Sequence, residues 1–139
     1  MGIKISPTFA MGGFGPTEQT IGTYHYLVSR LNALPLSHLQ VVRAPNDLFG
    51  TPVEPLRDTI GYFRERFRGA LIANFGFDKA SASSAIESGR AVLVSFGKPF
   101  IGNPDLVRRL REGLPLSAST PETYYQGGPQ GYVDYPTAA

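Results

Sequence analysis

The sequence of 139 residues contains no cysteine and no tryptophan, and it has only two histidines. The absence of cysteine excludes a disulfide scaffold, a cysteine-ligated zinc or iron–sulfur site and a cysteine nucleophile. A histidine-rich metal site is excluded because the sequence has only two histidines. No apolar run approaches the roughly 18 residues that a membrane span requires. These absences favour a globular protein, which we expect to be cytoplasmic.

The numbers of positively and negatively charged residues are nearly equal. Lys and Arg number 13 against 11 Asp and Glu, so the formal net charge is +2. Two excess charges produce too weak a field to indicate a nucleic-acid ligand. We therefore expect neither nucleic acid nor a membrane as a partner. The length predicts a single domain over residues 1–139, with an irregular, proline-containing tail over residues 114–139.

Short β-branched or apolar runs alternate with segments of helical spacing. Four strands are predicted, at Ile3–Ser6, Leu39–Arg43, Ala70–Asn74 and Ala91–Phe96. Helical patterns follow them at Ile21–Leu31, at Val53–Phe67, from an Asp78 cap to Gly89, and from Asn103-Pro104 to Gly113. Alternation on this scale predicts an α/β fold with parallel strands and helical crossovers.

Four βα units correspond to half of the eight that close a (β/α)8 TIM barrel. If all the units curve in one direction, they leave two strand edges and an apolar concave face open. Such surfaces promote association. The pattern therefore predicts a half barrel that is completed by a second chain.

Three stretches carry a more specific signal. The first is MGIKISP at Met1–Pro7. The second is FGKPFIGNPDL at Phe96–Leu106, which continues to residue 116. The third combines ETYYQ at Glu122–Gln126 with GYVDYP at Gly131–Pro136.

Together these stretches resemble the C-terminal half of the old yellow enzyme family, the FMN-dependent NADH:flavin oxidoreductases and ene-reductases. The resemblance covers essentially the whole sequence and implies that the chain supplies strands five to eight of the family barrel. It also implies a flavin cofactor, FMN, with NAD(P)H as reductant and an activated alkene or enone as substrate.

The resemblance implies a set of cofactor-binding residues for the FMN phosphate. Gly97 and Lys98 follow the fourth strand, where the family places a Gly-Arg pair for that phosphate. Lys98 keeps the charge of the arginine without its planar fork. Residues 74–77, which are Asn74, Phe75, Gly76 and Phe77, end the third strand, where the family donates backbone N–H groups to the same phosphate.

The resemblance also assigns residues around the flavin ring. Lys4 matches an arginine beside the N1 and O2 edge of the flavin, where a cation stabilises reduced flavin. Tyr124 matches an aromatic near the flavin, and Tyr125 matches one at the substrate mouth and is the catalytic candidate. The family's His-His or His-Asn pair and its tyrosine proton donor lie in the half that has no counterpart here.

Other interpretations of these residues stay open. Lys4 could face a water-filled concavity, Tyr124 and Tyr125 could be packing aromatics, and the arginines of 108–111 are typical of a solvated helix face. Three functions compete. The chain could be the FMN-binding half of an oxidoreductase that needs a complementary N-terminal half. It could instead be a homodimeric half barrel that has lost flavin chemistry and acts as an isomerase- or cyclase-type pocket. It could also be a non-catalytic binding module.

Overall fold

Four parallel strands form the centre of the first of two compact units, Met1–Ser95 and Phe96–Ala139, into which the chain divides. The computed structural model describes residues 1–10, 12–13, 15–45, 47–125 and 128–139. Gln126, which belongs to the third sequence motif, lies outside these residues. The strands are β1 (Gly2–Ile5), β2 (His38–Val42), β3 (Leu71–Asn74) and β4 (Leu93–Ser95).

The strands lie side by side in the order in which the chain makes them, β1-β2-β3-β4, and every neighbouring pair is parallel. Crossovers between parallel strands are almost always right-handed. A sheet that always advances in one direction therefore receives all its helices on one face, as in a (β/α)8 barrel and unlike a doubly wound sheet. This confirms the α/β fold class and the four βα units of half a TIM barrel.

Three helices connect the strands of the first unit: α1 (Thr20–Leu31), α2 (Thr59–Arg66) and α3 (Lys79–Glu87). The helix predicted from Asp78 is confirmed, because Asp78 and Ser81 form a reciprocal capping box and Gly89 follows with a φ of 72°. This arrangement satisfies backbone N–H groups that the first turn leaves unpaired. The capping hydrogen bonds from Ser81 also lower the pKa of Asp78.

The prediction of one helix over Val53–Phe67 is wrong. A 3₁₀ helix at Glu54–Leu56 comes first, and α2 starts again at Thr59. The side chain of Asp58 accepts a hydrogen bond of 3.2 Å from the backbone N–H of Gly61. A cap in the middle of the apolar stripe therefore divides it, although its apolar residues remain on one side and all reach the core.

The core lies between the sheet and its helices. Phe63 of α2 is fully buried, and its ring meets that of Tyr24 from α1 edge-on with centroids 6.1 Å apart. The sheet contributes alternate residues to this core, as the two-residue period of a strand requires. The buried strand residues that belong to this core are Ile5, Leu39, Val41, Leu71 and Ala73.

The last strand is shorter and more exposed than its sequence predicted. An uninterrupted apolar run such as Ala91–Val94 is typical of a strand that is buried on both faces, but Val92 is 50% exposed and Leu93 is 58% exposed. β4 is an edge strand, so one side of it has no neighbouring strand among the described residues. An apolar strand at an edge is a site for pairing with another chain.

The second unit contains two short helices, α4 (Lys98–Gly102) and α5 (Leu106–Glu112), and a 3₁₀ helix at Pro121–Thr123. The prediction that Asn103 caps the last helix is wrong. The Asn103 side chain is buried and instead joins two segments, because its Nδ2 donates to the carbonyls of Pro99 (2.8 Å) and Ser117 (3.0 Å). Its Oδ1 accepts from the N–H of Ser117 at 2.7 Å. Gly113 ends α5 at a φ of 71°, as predicted.

Within the described part of the chain, no helix has both the length and the apolar character that crossing a bilayer demands.

Phe63→Ala tests the position of the core. We expect it to lower the free energy of unfolding by about 3–5 kcal/mol, because a fully buried ring is replaced by a cavity. Tyr26→Ala is the matched control, since that ring is 68% exposed and its loss should change stability by less than about 0.5 kcal/mol. Urea unfolding followed by circular dichroism measures both. Equal effects of the two substitutions would contradict this placement of the core.

Candidate functional site

The face of the sheet opposite the helices carries exposed and half-buried side chains. Strand register aligns Lys4 with Gln40, and Gln40 with Ile72, so the three lie side by side across β1, β2 and β3. Lys4 is exposed, while its neighbours Ile3 and Ile5 pack into the core. The expectation of an apolar open face is therefore wrong. The face is mixed, and its polar members are placed on it by strand alternation.

Three of these polar side chains form a hydrogen-bonded cluster. The hydroxyl of Ser95 accepts from Nε2 of Gln40 at 2.9 Å and from Nδ2 of Asn74 at 2.8 Å. Nδ2 of Asn74 also donates to the carbonyl oxygen of Ser95 at 3.0 Å. The cluster holds the predicted phosphate-binding residue Asn74 in a fixed position at the end of β3, because both of its contacts lie on the neighbouring strand.

Lys4 lies on the same face as this cluster, on the far side of β2. Neighbouring strands are about 4.8 Å apart, so β1 and β3 are separated by roughly 10 Å. Within the described residues Lys4 makes no hydrogen bond or ion pair. Its ammonium group is therefore available to an anionic ligand over this face.

The residues after β3 form a tight turn of unusual conformation. Phe75 has a φ of 83° and Gly76 a φ of 67°, so two successive residues adopt left-handed backbone. For a residue other than glycine this conformation costs about 1–2 kcal/mol. The ring of Phe75 packs edge-on against Phe9 with centroids 5.6 Å apart. This contact joins the segments that follow β1 and β3.

Arg43, which follows β2, holds this turn from the other side. Its guanidinium donates to the carbonyl oxygen of Gly76 and lies 4.4 Å from the ring centroid of Phe77, in a cation–π contact. A Cβ added at Gly76 would come within 2.9 Å of Nη2 of Arg43. The left-handed φ therefore favours glycine at position 76, and a larger residue would also have to displace the end of the Arg43 side chain.

The remaining predicted site residues belong to the second unit. Gly97 precedes α4, and Lys98 is its first residue; both are exposed. The hydroxyl of Tyr124 is hydrogen-bonded to Oγ of Ser119 at 2.6 Å, which fixes that ring. Tyr125 packs edge-on against Tyr124 with centroids 6.3 Å apart, and it is 95% exposed. Of the two tyrosines, Tyr125 is the one open to a ligand.

Arg109 anchors the tail of the second unit, contrary to the expectation of a solvated helix face. Its side chain is only 6% exposed and pairs with Asp105, with Nε 2.7 Å from Oδ1. Its two terminal nitrogens donate to the carbonyls of Pro115 (2.7 Å) and Pro136 (3.1 Å). One buried guanidinium thus joins both ends of the irregular tail to α5. The hydrogen bond from Arg109 also lowers the pKa of Asp105.

Sequence reasoning missed three residues that organise the site: Gln40, Ser95 and Arg43. The alternation of apolar and polar residues in LQV was a signal for Gln40, because it places the glutamine on the open face. Ser95 follows two apolar residues in LVS, so no alternation indicated it. Nothing local indicated Arg43, since its partners lie 33 and 34 residues further along the chain.

The sequential parallel strands and the one-sided helices of the first unit define the class of the fold as a partial (β/α) barrel. No protein-family model matches the chain. Among curated proteins it is 35% identical over 136 residues to the "Probable flavin mononucleotide-dependent alkene reductase" of Leishmania infantum, covering 98% of this chain and 35% of that protein. It is 33% identical over 137 residues to a 12-oxophytodienoate reductase-like protein of Solanum lycopersicum, again covering 98% of this chain and 35% of the relative.

Solved structures give the same result. The old yellow enzyme from Trypanosoma cruzi matches with a TM-score of 0.85 at 31% identity, over 99% of this chain and 35% of that one. Morphinone reductase in complex with tetrahydroNAD matches with a TM-score of 0.82 at 30% identity, over 99% of this chain and 36% of that one. The chain is homologous to the C-terminal part of the old yellow enzymes, and it spans about a third of the length of these relatives.

Gly76→Ala tests the turn after β3. We expect it to destabilise the protein by at least about 1–2 kcal/mol, because alanine must adopt a left-handed φ and its methyl group must displace Arg43. Gly22→Ala in α1 is the control, since a Cβ there meets nothing within 4 Å. It should stabilise the protein by about 0.5–1 kcal/mol. Chemical denaturation measures both, and a neutral Gly76→Ala variant would contradict this conformation of the turn.

The Asp105–Arg109 pair predicts a pH dependence. Because the folded pKa of Asp105 is lowered, its stabilising effect is complete above its unfolded pKa of about 3.9 and is lost as the pH falls through the folded pKa. Asp105→Asn should therefore lower the melting temperature at pH 7 and have no effect at pH low enough to protonate the wild-type carboxyl. Glu112→Gln, which alters the half-exposed Arg108 pair, is the control. A pH-independent effect of Asp105→Asn would count against this assignment.

Proposed function

We propose that this chain is the FMN-binding C-terminal portion of an old-yellow-enzyme-like oxidoreductase. The bound flavin would take hydride from NAD(P)H and pass it to an activated alkene or enone. The observation that carries the proposal is the open face of the sheet, on which an exposed, unpartnered Lys4 stands beside the polar cluster of Gln40, Asn74 and Ser95. The similarity to alkene reductases over 98% of the chain supports the same conclusion.

The residues present fit a flavin mononucleotide. The ammonium of Lys4 would lie at the N1 and O2 edge of the ring and stabilise the negative charge of the reduced form. Residues 74–77 would present backbone N–H groups to the phosphate, and the left-handed Phe75 and Gly76 are suited to this because such turns form anion-binding concavities. Lys98 is an exposed cation after Gly97 in the second unit, and the resemblance implies that it would supply charge to the phosphate. Tyr125 would line the substrate opening.

Completion by a second chain forms part of this proposal. In the described residues β1 and β4 each have a neighbour on one side only. The relatives are almost three times as long, so the complementary partner would be a chain that carries the N-terminal strands of the barrel. The enone-binding pair and the proton donor of the family would then come from that partner.

A second candidate function is favoured by the exposed edge strand. Leu93 is 58% exposed on β4, and two copies related by a twofold axis could pair each β4 with the partner's β1 and so remove all edges. Such a homodimer could retain the fold without flavin. It would then act as an isomerase- or cyclase-type pocket or as a non-catalytic binding module.

Light scattering combined with flavin absorbance distinguishes the two candidates. The chain is measured alone and together with a co-expressed segment carrying the N-terminal strands of the Leishmania relative, each with added FMN. A complex of both segments that retains stoichiometric flavin is the expected result. A colourless homodimer that rejects FMN, with and without the complement, would overturn the flavin proposal and support the second candidate.

Lys4→Gln tests the role of the open face in the flavin complex. We expect the substitution to weaken the binding of reduced FMN more than the binding of oxidised FMN, because the lost cation stabilises mainly the reduced form. A tenfold selective loss would lower the two-electron potential of the bound flavin by about 30 mV. Arg30→Gln, which removes an equal charge from the exposed side of α1, should leave the potential of the flavin unchanged. Equal shifts in the two variants would contradict the placement of the flavin beside Lys4.

A further inference from the structure

A pocket of about 500 Å³ lies in the first unit, on the side of the sheet that carries the helices. Its walls come from the segment after β2, from the start of α2, from the turn after β3 and from one face of α3. Ser81, Ser84 and Ala85 of α3 and Ile60 of α2 line it. The pocket is therefore separate from the open face with Lys4, where the flavin ring is proposed to lie.

Three arginines line this pocket, Arg43, Arg57 and Arg90, against one carboxylate, that of Asp58. The lining residues themselves carry a net charge of +2, and the carboxylates of Asp47, beside Arg57, and Asp78, near Arg43, offset part of it. An anionic ligand would therefore be selected by the guanidinium donors that line the pocket and not by a strong net field. Arginine is also the side chain best matched to phosphate, because its planar fork can donate two parallel hydrogen bonds.

Each of these guanidinium groups is held in place and still has donors to spare. Arg90 pairs with Asp58, and Nε of Arg57 lies 3.1 Å from Oδ1 of Asp47. Arg43 is fixed by Gly76 and Phe77, and among the described residues it makes no ion pair within 4 Å and interacts with the carboxylate of Asp78 only at longer range. A guanidinium carries five N–H donors, and in each of these arginines only one nitrogen is engaged with an acceptor among the described residues. Donors that are already positioned lose less entropy when a ligand binds.

The same pocket has an apolar side. Phe75, Phe77 and Ile60 line it together with the methyl groups of Ala44 and Ala85. A free inorganic anion would leave this surface uncovered. A ligand that joins a phosphate to an aromatic or aliphatic group would use both sides of the pocket.

We propose that this pocket binds a small phosphate ester, with the phosphate on the arginines and the organic group along Phe75 and Phe77. The ligand is distinct from the flavin, because the pocket lies on the helix side of the sheet. The pocket shares only the turn after β3 with the proposed flavin site. Occupancy would also brace that turn through Arg43, which contacts both Gly76 and Phe77.

Phenyl phosphate and inorganic phosphate are the probes, titrated into the full chain without FMN at constant ionic strength and followed by calorimetry. We expect phenyl phosphate to bind more tightly than inorganic phosphate. Arg43→Gln should weaken phenyl phosphate binding about tenfold, as the loss of one charge-assisted contact implies. Arg43→Lys should recover part of the loss, because the charge remains while the planar fork is gone.

Two variants keep the test decisive. Arg57→Gln removes a second cation whose ion pair is half exposed, so the protein should fold even if Arg43→Gln does not, and phenyl phosphate binding should again weaken. Arg30→Gln removes the same charge outside the pocket and should leave binding unchanged.

Equal weakening in the Arg43, Arg57 and Arg30 variants would mean general charge attraction and would overturn the site. Equal affinity for the two probes would overturn the phosphate ester as ligand. Neither result depends on whether the chain binds flavin.

Discussion

The strictly sequential order of four parallel strands is the constraint on which the rest of this structure depends. Because right-handed crossovers keep the connecting helices on one side, the two faces of the sheet lie in different environments. One face buries the aliphatic core around Phe63. The other face carries Lys4, Gln40 and Asn74. The separation of a core-forming face from an open face that carries polar side chains follows from this connectivity.

The turn after β3 connects these two faces. Asn74 points to the open face and bonds to Ser95, whereas Phe77 and the carbonyl of Gly76 meet Arg43 beside the helix-side pocket. The left-handed backbone of Phe75 is a local cost that persists because its neighbours fix it on both sides. Backbone of this kind is found where ligands are clamped, and both proposed binding sites use this turn.

In the second unit, the described part of residues 114–139 contains little regular secondary structure. Its backbone N–H and C=O groups therefore need hydrogen-bond partners other than a helix or a strand. Two buried polar side chains replace the missing ladders. Asn103 bonds both backbone groups of Ser117, and Arg109 bonds the carbonyls of Pro115 and Pro136. Such groups are costly to bury unless every partner is present. Because each side-chain nitrogen of Asn103 and Arg109 has an acceptor, the two side chains hold the described, proline-containing segments of this tail in place.

The sequence by itself determined the class of the fold, the approximate position of each strand and the capping of α3, because periodicity and caps act over a few neighbouring residues. Its motifs also identified the family. Only the tertiary structure decided that Arg109 is buried, that Asn103 joins two segments instead of capping a helix and that the stripe over Val53–Phe67 is divided at Asp58. It alone showed that Arg43 contacts the turn after β3, which lies more than thirty residues further along the chain. These contacts depend on where distant segments of the chain meet. Arg109 can therefore bind the tail as a buried side chain only in the folded protein, and its sequence neighbourhood resembles that of an exposed arginine.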